Sequence, residues 1–462
     1  MSLLDQYTVS NENGDDFVEP KEGEGVSVAE AVMPDEEAQA GEVVGEVAVL
    51  QNEGDSVAKD MESLENAKAT MESMYSHMVE AQKNGGLNPQ AAGAMRVACE
   101  SFSGIIGNSG IVPSVESFGR SASRERSTTF AMEGFKETIQ RIWEAVKAAF
   151  KRLLNIVKDV MAKITFAAQR VRDNAKKIES ATANLRSVTP KGDLSIGGQS
   201  LLFVNGKYDQ NGAANVGAVV NMFATVWPKA VGGYISGMVA ASKLVKEDSK
   251  RVIAAMMTSA SRLPSFGGVI SAKDAPFDVK DDAVVRASKA VGGNRVVYLV
   301  QPGKSVENGD LDAAAKAFAS SVALRLEKAP QLADAPKEFK LPVPNAAAIS
   351  TNMAHVRKAA EALIKASDSN KEIQTELNKV LSASAPDVDD AKGGDEAKAV
   401  RAVSAALQAS SKLVGSQMSG TYSHMLQLLN AQVSLAKRQL VALKKGDGKA
   451  EGVAAGKGVS NV

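Results

Sequence analysis

Apolar side chains recur at three- and four-residue steps along most of this chain, the signature of amphipathic helices. Between about positions 55 and 83 the repeat runs through Met61, Leu64, Ala67, Met71, Met74 and Met78. Asn88 followed by Pro89 supplies an N-cap and a first helical position for a second helix reaching about Phe102. From Gly134 onward Phe135, Ile139, Ile142, Val146, Phe150, Leu153, Val157, Val160 and Ile164 form a single stripe, with no proline and no further glycine until well beyond Ser180. At 1.5 Å per residue such a helix spans roughly 65 to 70 Å.

Elsewhere the period changes. Leu201 to Val204 followed by Asn205-Gly206 predicts a strand entering a tight hairpin turn, and 294–300 predicts another buried strand. Helical windows fill 213–226, 234–246 and 251–263, so the middle of the chain is expected to be a small sheet braced by helices. Positions 346–445 are again helical, in about three segments broken near Asp368 and at 384–394, with Gly415 and Gly420 as points where the last segment bends or splits. Positions 104–130 are rich in Gly, Ser and Thr, carry Pro113, Arg120, Arg124 and Arg126, and are expected to be an exposed, protease-accessible connector. These periods predict a fold class that is mainly α with a small β element (α+β). Its expected organisation is an acidic disordered tail (1–55), a helical leader and linker (56–133), a long basic amphipathic helix (134–184), a mixed α/β domain (185–345), a helical C-terminal domain (346–445) and a flexible end (446–462).

Composition agrees with helices and removes several function classes. Aromatic residues are 5% of the chain against 44% hydrophobic overall, so the core must be built from Ala, Val, Leu and Met. Cys99 is the single cysteine, which rules out an internal disulfide and a multi-thiolate metal site. His77, His355 and His424 are far apart and are read as ordinary surface or core residues. The first eighteen residues are acidic and lack an apolar core segment, which argues against a secretory signal. The longest uncharged stretches, 210–228 and 413–436, are diluted by Gly, Ser, Asn, Gln and Thr and read as buried helices rather than membrane spans.

The formal net charge is zero, and it conceals a boundary. Positions 1–133 hold 24 Asp or Glu and 8 Lys or Arg, a net of 8 − 24 = −16, so the remaining 46 basic and 30 acidic residues give the rest +16. An acidic tail of this kind either simply keeps the chain solvated or repels nucleic acid until it is removed. The predicted long helix is the most basic element, carrying Lys147, Lys151, Arg152, Lys158, Lys163, Arg170, Arg172, Lys176 and Lys177. Three readings compete for it: a core-packing helix with a solvated basic face, a helix that contacts DNA phosphates, and a membrane-surface helix, the last supported by Trp143 beside Ile142.

Catalytic motifs are missing. The tail sequence from Gly452 to Gly458 is one residue short of a phosphate loop and lacks the Ser or Thr after Lys457. Gly104, Gly107 and Gly110 lack the flanking strand and helix of a dinucleotide site. Asp387, Asp389 and Asp390 open like a calcium loop, but Lys392 stands where its turn glycine belongs. No catalytic residue, metal ligand or cofactor is expected. One short pattern is enriched instead: a small residue, any residue, then Glu occurs seven times in the first 133 residues, ending at Glu12, Glu42, Glu65, Glu100, Glu116, Glu125 and Glu133, and three times after, at Glu307, Glu361 and Glu396.

Three runs in the same region carry a family resemblance. SVESFG (114–119), SASRERSTTF (121–130) and AMEGFKETIQRIWEAVKAAFKRLL (131–154) resemble the phiKZ-like phage internal head proteins. The likeness is close from about 88 to 163 and general beyond it. It implies a structural protein inside the head of a large tailed phage, assembled in the host cytoplasm. It also implies processing by the phage head maturation protease at Ala131-Met132-Glu133, with Gly134 as the new N-terminus and Glu100, Glu116 and Glu125 as further candidate cuts. The partners it implies are other internal head or capsid proteins and packaged double-stranded DNA, bound without sequence preference. The alternative is a membrane-active protein ejected into the host with the DNA, its helix from Gly134 meeting the envelope.

Overall fold

In a computed structural model, residues 35–106, 112, 114–244, 248–264, 266–279, 282–303, 305–306, 310–382, 395–414 and 418–446 are described. Two long helices organise the first part of the chain: α1 (Asp35–Lys83) and α4 (Ser121–Ala183), with α2 (Pro89–Ser101) and the single turn α3 (Ser103–Ile106) between them. The helix pair is antiparallel, because Gln82 of α1 meets Thr129 of α4, Glu53 meets Arg152 and Glu46 meets Lys163. The α2 N-cap forms as expected, with Asn88 Oδ1 accepting from the Ala91 N–H at 2.8 Å.

Both long helices begin earlier than their expected starts. Residues 35–55, expected to be part of a disordered tail, are the first turns of α1, while 1–34 lie outside the described residues. The reason is a tertiary one. Val47, Val57, Met61, Leu64, Met71, Tyr75 and Met78 are buried, and with Leu50, Gly54 and Lys68 they make an unbroken alternation of three- and four-residue steps that α4 covers. Likewise α4 is 63 residues long and starts at Ser121, not Gly134, so the last part of the expected connector, 121–130, is helix. Its hydroxyls satisfy themselves within the helix: Thr128 and Thr129 donate to the carbonyls of Arg124 and Glu125. Buried Thr128 Oγ1 also accepts the Leu87 N–H at 2.9 Å, fastening the α1–α2 turn to the start of α4. At that turn Gly86 has φ +89 and sits against the Arg124 backbone, so close that a Cβ would collide at 2.6 Å. Gly107 to Ile111 and Pro113 lie outside the described residues.

The middle of the chain holds three small antiparallel sheets. Strands β1 (Asp193–Ser195) and β8 (Lys340–Pro342) pair, and β2 (Phe203–Val204) and β3 (Lys207–Tyr208) form the hairpin expected from Asn205-Gly206, both of which take positive φ. The main sheet has the order β4-β5-β6-β7, from β4 (Gly268–Ile270), β5 (Val284–Ala287), β6 (Arg295–Gln301) and β7 (Ala323–Lys328). β6 is the buried strand expected from 294–300, buried from Val296 to Val300. Of the helices in this region, α8 (Leu311–Ser321) packs on β6, α5 (Gly212–Asn221) and α6 (Trp227–Lys243) pack on the long helix that begins at Ala346, and α7 (Ser249–Ala260) packs on α6. A wide π turn at Met222–Val226 joins α5 to α6 just ahead of Pro228, which has no N–H to continue the ladder.

Three helices close the fold: α9 (Ala346–Ser382), α10 (Asp395–Lys412) and α11 (Met418–Gly446). α9 runs through Asp368 without the expected break, and Lys371 pairs with that carboxylate at 2.9 Å. The expected break at 384–394 and Gly415 lie outside the described residues, Gly420 lies inside α11, and of the expected tail only Gly446 is described. One large core joins nearly all of these helices, with α4 as its spine between α1, α9 and α11. Arg357 of α9 fixes the far end of α4, its guanidinium 3.1 Å from Glu179.

Candidate processing junction and basic face

Glu133 lies in the fourth turn of α4, with helix on both sides. Around it the side chains alternate as the helix dictates. Ala131 and Phe135 are fully buried, Met132 and Gly134 are half-buried, and Glu133 and Phe130 face solvent, Phe130 with 63% of its surface exposed. The small residue of the motif is therefore also a core residue, fully buried in the packing of α4. A protease that reads an extended peptide reaches this bond only after the first turns of α4 unwind, and Gly134, costing about 1 kcal/mol relative to Ala in a helix, is the weak point there.

The other candidate cuts stand in settings of differing regularity. Glu100 is in the last turn of α2, 3.1 Å from Arg96, and Glu125 is on the first turns of α4. Glu116 is in the short 3-10 turn Val115–Phe118, the least regular setting of the four. Of the nine basic residues singled out on the long helix, Lys151, Lys158, Lys176 and Lys177 are exposed and make no ion pair among the described residues. Lys147 pairs with Glu144 at 2.6 Å, Arg172 with Asp173 at 2.9 Å, and Arg170 lies over the exposed Phe166 ring. Arg152 and Lys163 reach across to α1, to Glu53 at 2.8 Å and Glu46 at 2.6 Å. On the other flank of α1, Glu62 takes Lys412, the last residue of α10, at 2.6 Å.

Sequence reasoning missed these leader carboxylates and Lys412. The available signal was the stripe of α1 itself, which continues backward from Met61 through Val57, Gly54, Leu50 and Val47 without a skipped step. Within that stripe stands one cation: Lys68 is 4% exposed, pairs with Glu72 at 2.8 Å, and holds its ammonium 5.3 Å from the Trp143 ring centroid. A single buried lysine at a seam position sets the register of one helix on the other. Trp143 is thus packed under the leader, and no helix among the described residues is long and apolar enough to cross a membrane. Several buried polar atoms on this pair lack a hydrogen-bond partner, including Gln51 Nε2 and Trp143 Nε1. Each costs about 1–3 kcal/mol. About 1.5–3 kcal/mol per fully buried large apolar side chain, repeated along the seam, outweighs them.

The described residues show no group of three or more His, Cys, Asp or Glu arranged to hold a metal ion. His77 and His355 are exposed, and His424 is buried with its Nε2 donating to the Gly292 carbonyl at 3.2 Å. Burial pushes the Cys99 thiol up to about 11, aided by Glu100, so it is not a poised nucleophile. A cleft of about 550 Å3 between α1, α8 and α10 is lined by Glu62, Glu65, Lys68, Asp312, Lys316 and Lys412, of which Glu62 and Lys412 pair with each other, Lys68 with Glu72 and Asp312 with Lys398.

Comparison with known families matches residues 38–438 to the phiKZ-like phage internal head proteins. The match takes in α1, the junction, the basic helix and all three sheets. No curated protein and no solved structure matches the chain. With most of its length inside that one family, the chain belongs to the phiKZ-like phage internal head proteins, structural proteins of the interior of the phage head.

Proposed function

We propose that the chain enters the prohead as a precursor whose acidic leader is cut off after Glu133, leaving a basic body that lies against the packaged genome. The observation that carries this reading is the pairing of leader carboxylates with body cations: Glu53 with Arg152, Glu46 with Lys163 and Glu62 with Lys412. A leader that occupies these cations keeps phosphate off them, and its removal returns them to the body. The geometry also suggests an order of cuts. Glu116 sits in an exposed 3-10 turn, so a cut there turns the start of α4 into a free helix end. Such an end frays, and fraying toward Gly134 presents the Glu133 bond in extended form.

The test is a peptide. Trypsin cuts after Arg126 and Lys136, so an unprocessed chain yields the peptide 127–136, which spans the junction. In protein from mature particles that peptide should be absent and the chain should begin at Gly134, while Glu133→Gln should restore it. Recovering 127–136 from mature particles in proportion to body peptides would sink the assignment.

A further inference from the structure

The structure assigns the cut and the release to different steps: we propose that α1 stays bound to the body as a separate chain after the backbone is severed after Glu133. The inference rests on that processing reading for the place of the cut, and on the seam between α1 and α4 for the hold that outlasts it. Severing the chain there removes one covalent link and leaves the contacts beyond it. In the antiparallel pairing Gln82 faces Thr129, Lys68 faces Trp143, Glu53 faces Arg152 and Glu46 faces Lys163. From Glu46 to about Tyr75, α1 therefore lies against helix that belongs to the body.

That stretch contains Val47, Val57, Met61, Leu64 and Met71, all buried, in a 3-4 spacing that a long facing helix fills. Glu62 and Lys412 add a contact to a third helix, α10, which the cut does not touch. Buried Lys68 over Trp143 holds the register. The groove on the body thus fits an acidic amphipathic helix, and its first occupant is the leader. While α1 remains there, Arg152, Lys163 and Lys412 stay paired, so cleavage alone does not raise the affinity of the body for DNA. Departure of α1 does.

To test this, the full chain is made with a foreign protease's recognition sequence inserted between Glu133 and Gly134, at the bond the proposal names, and is cut completely, as checked on a denaturing gel. Size exclusion is then run at about 1 µM protein, where co-elution needs a dissociation constant below micromolar. Two salt concentrations are used, about 0.1 M and about 1 M, the second having a Debye length of about 3 Å. Co-elution of both fragments at both salts is expected, because an apolar seam survives screening. Elution of the leader fragment by itself at either salt overturns the proposal. A second version carrying Leu64→Lys and Met71→Lys should lose its leader fragment once cut, and retention there would also overturn it by placing the hold elsewhere. Hydrogen exchange gives an independent reading that needs no seam variant: amides of 47–75 should keep their protection after the cut, and loss of it contradicts the proposal. Since a foreign enzyme makes the cut, the two readings fail separately: an intact 127–136 peptide in particles would end the processing reading, whereas loss of the leader fragment here would end the retention of α1.

Discussion

His424 sets an acid limit on this fold. Burial, with Arg295 nearby, pushes its pKa down from 6.5 to about 4, against the opposing pull of the Gly292 carbonyl. Above pH 6.5 the imidazole is neutral in both folded and unfolded chains and contributes nothing to the pH dependence. Between 6.5 and 4 the unfolded chain takes up a proton that the folded one excludes, so stability falls by about 1.4 kcal/mol per pH unit from this group. His424→Gln should therefore lose about 2–3 kcal/mol less than the natural chain between pH 7 and pH 4.5 in denaturant melts. Equal losses would show that His424 is not the group responsible. The sequence foretold that its histidines were ordinary surface or core residues. It could not say which was buried, because Gly292 and Arg295 reach His424 only through the fold.

At the scale of elements, α4 joins packing and charge on opposite sides of one helix. Its buried face packs on α1, α9 and α11, and its solvent ridge carries lysines. Lys151, Lys158 and Lys176 are 7 and 18 residues apart, close to whole numbers of 3.6-residue turns, so they fall on one line along the helix. These three and Lys177 should meet phosphate first. Replacing all four by Gln should lower the log–log salt slope of duplex DNA binding by up to about 3.6, at about 0.9 per phosphate neutralised. An unchanged slope would move the DNA-binding face elsewhere. The stripe and its basic residues were legible because a 3.6-residue period needs no partner to be seen. The helix's true start was not, since SASRERSTTF has the composition of a loop, and its helical form goes with the burial of Thr128, which accepts the Leu87 N–H.

For the whole molecule, the leader carries −16 and the body +16, so the precursor has no net charge, and α1, the long described helix of the leader, lies along α4. Protein from mature particles, once free of α1, should bind duplex DNA at least about tenfold more tightly than the full chain at about 50 mM salt. The gap should narrow as salt rises, since it is electrostatic. Equal affinities in low salt would show that the leader does not screen the body.

By itself the sequence determined the helical class, the charge boundary, the hairpin at Asn205-Gly206, the buried strand near Val297 and the candidate junction at Glu133. All of these are carried by local period, turn chemistry or composition. Tertiary structure alone decided that α1 lies antiparallel on α4 and that the Glu133 bond is inside a helix rather than in a connector. Glu46, Glu53 and Glu62 stand 117, 99 and 350 residues from the cations they hold. Pairings at that separation leave no mark on local sequence, because what brings them together is the burial of the seam between them.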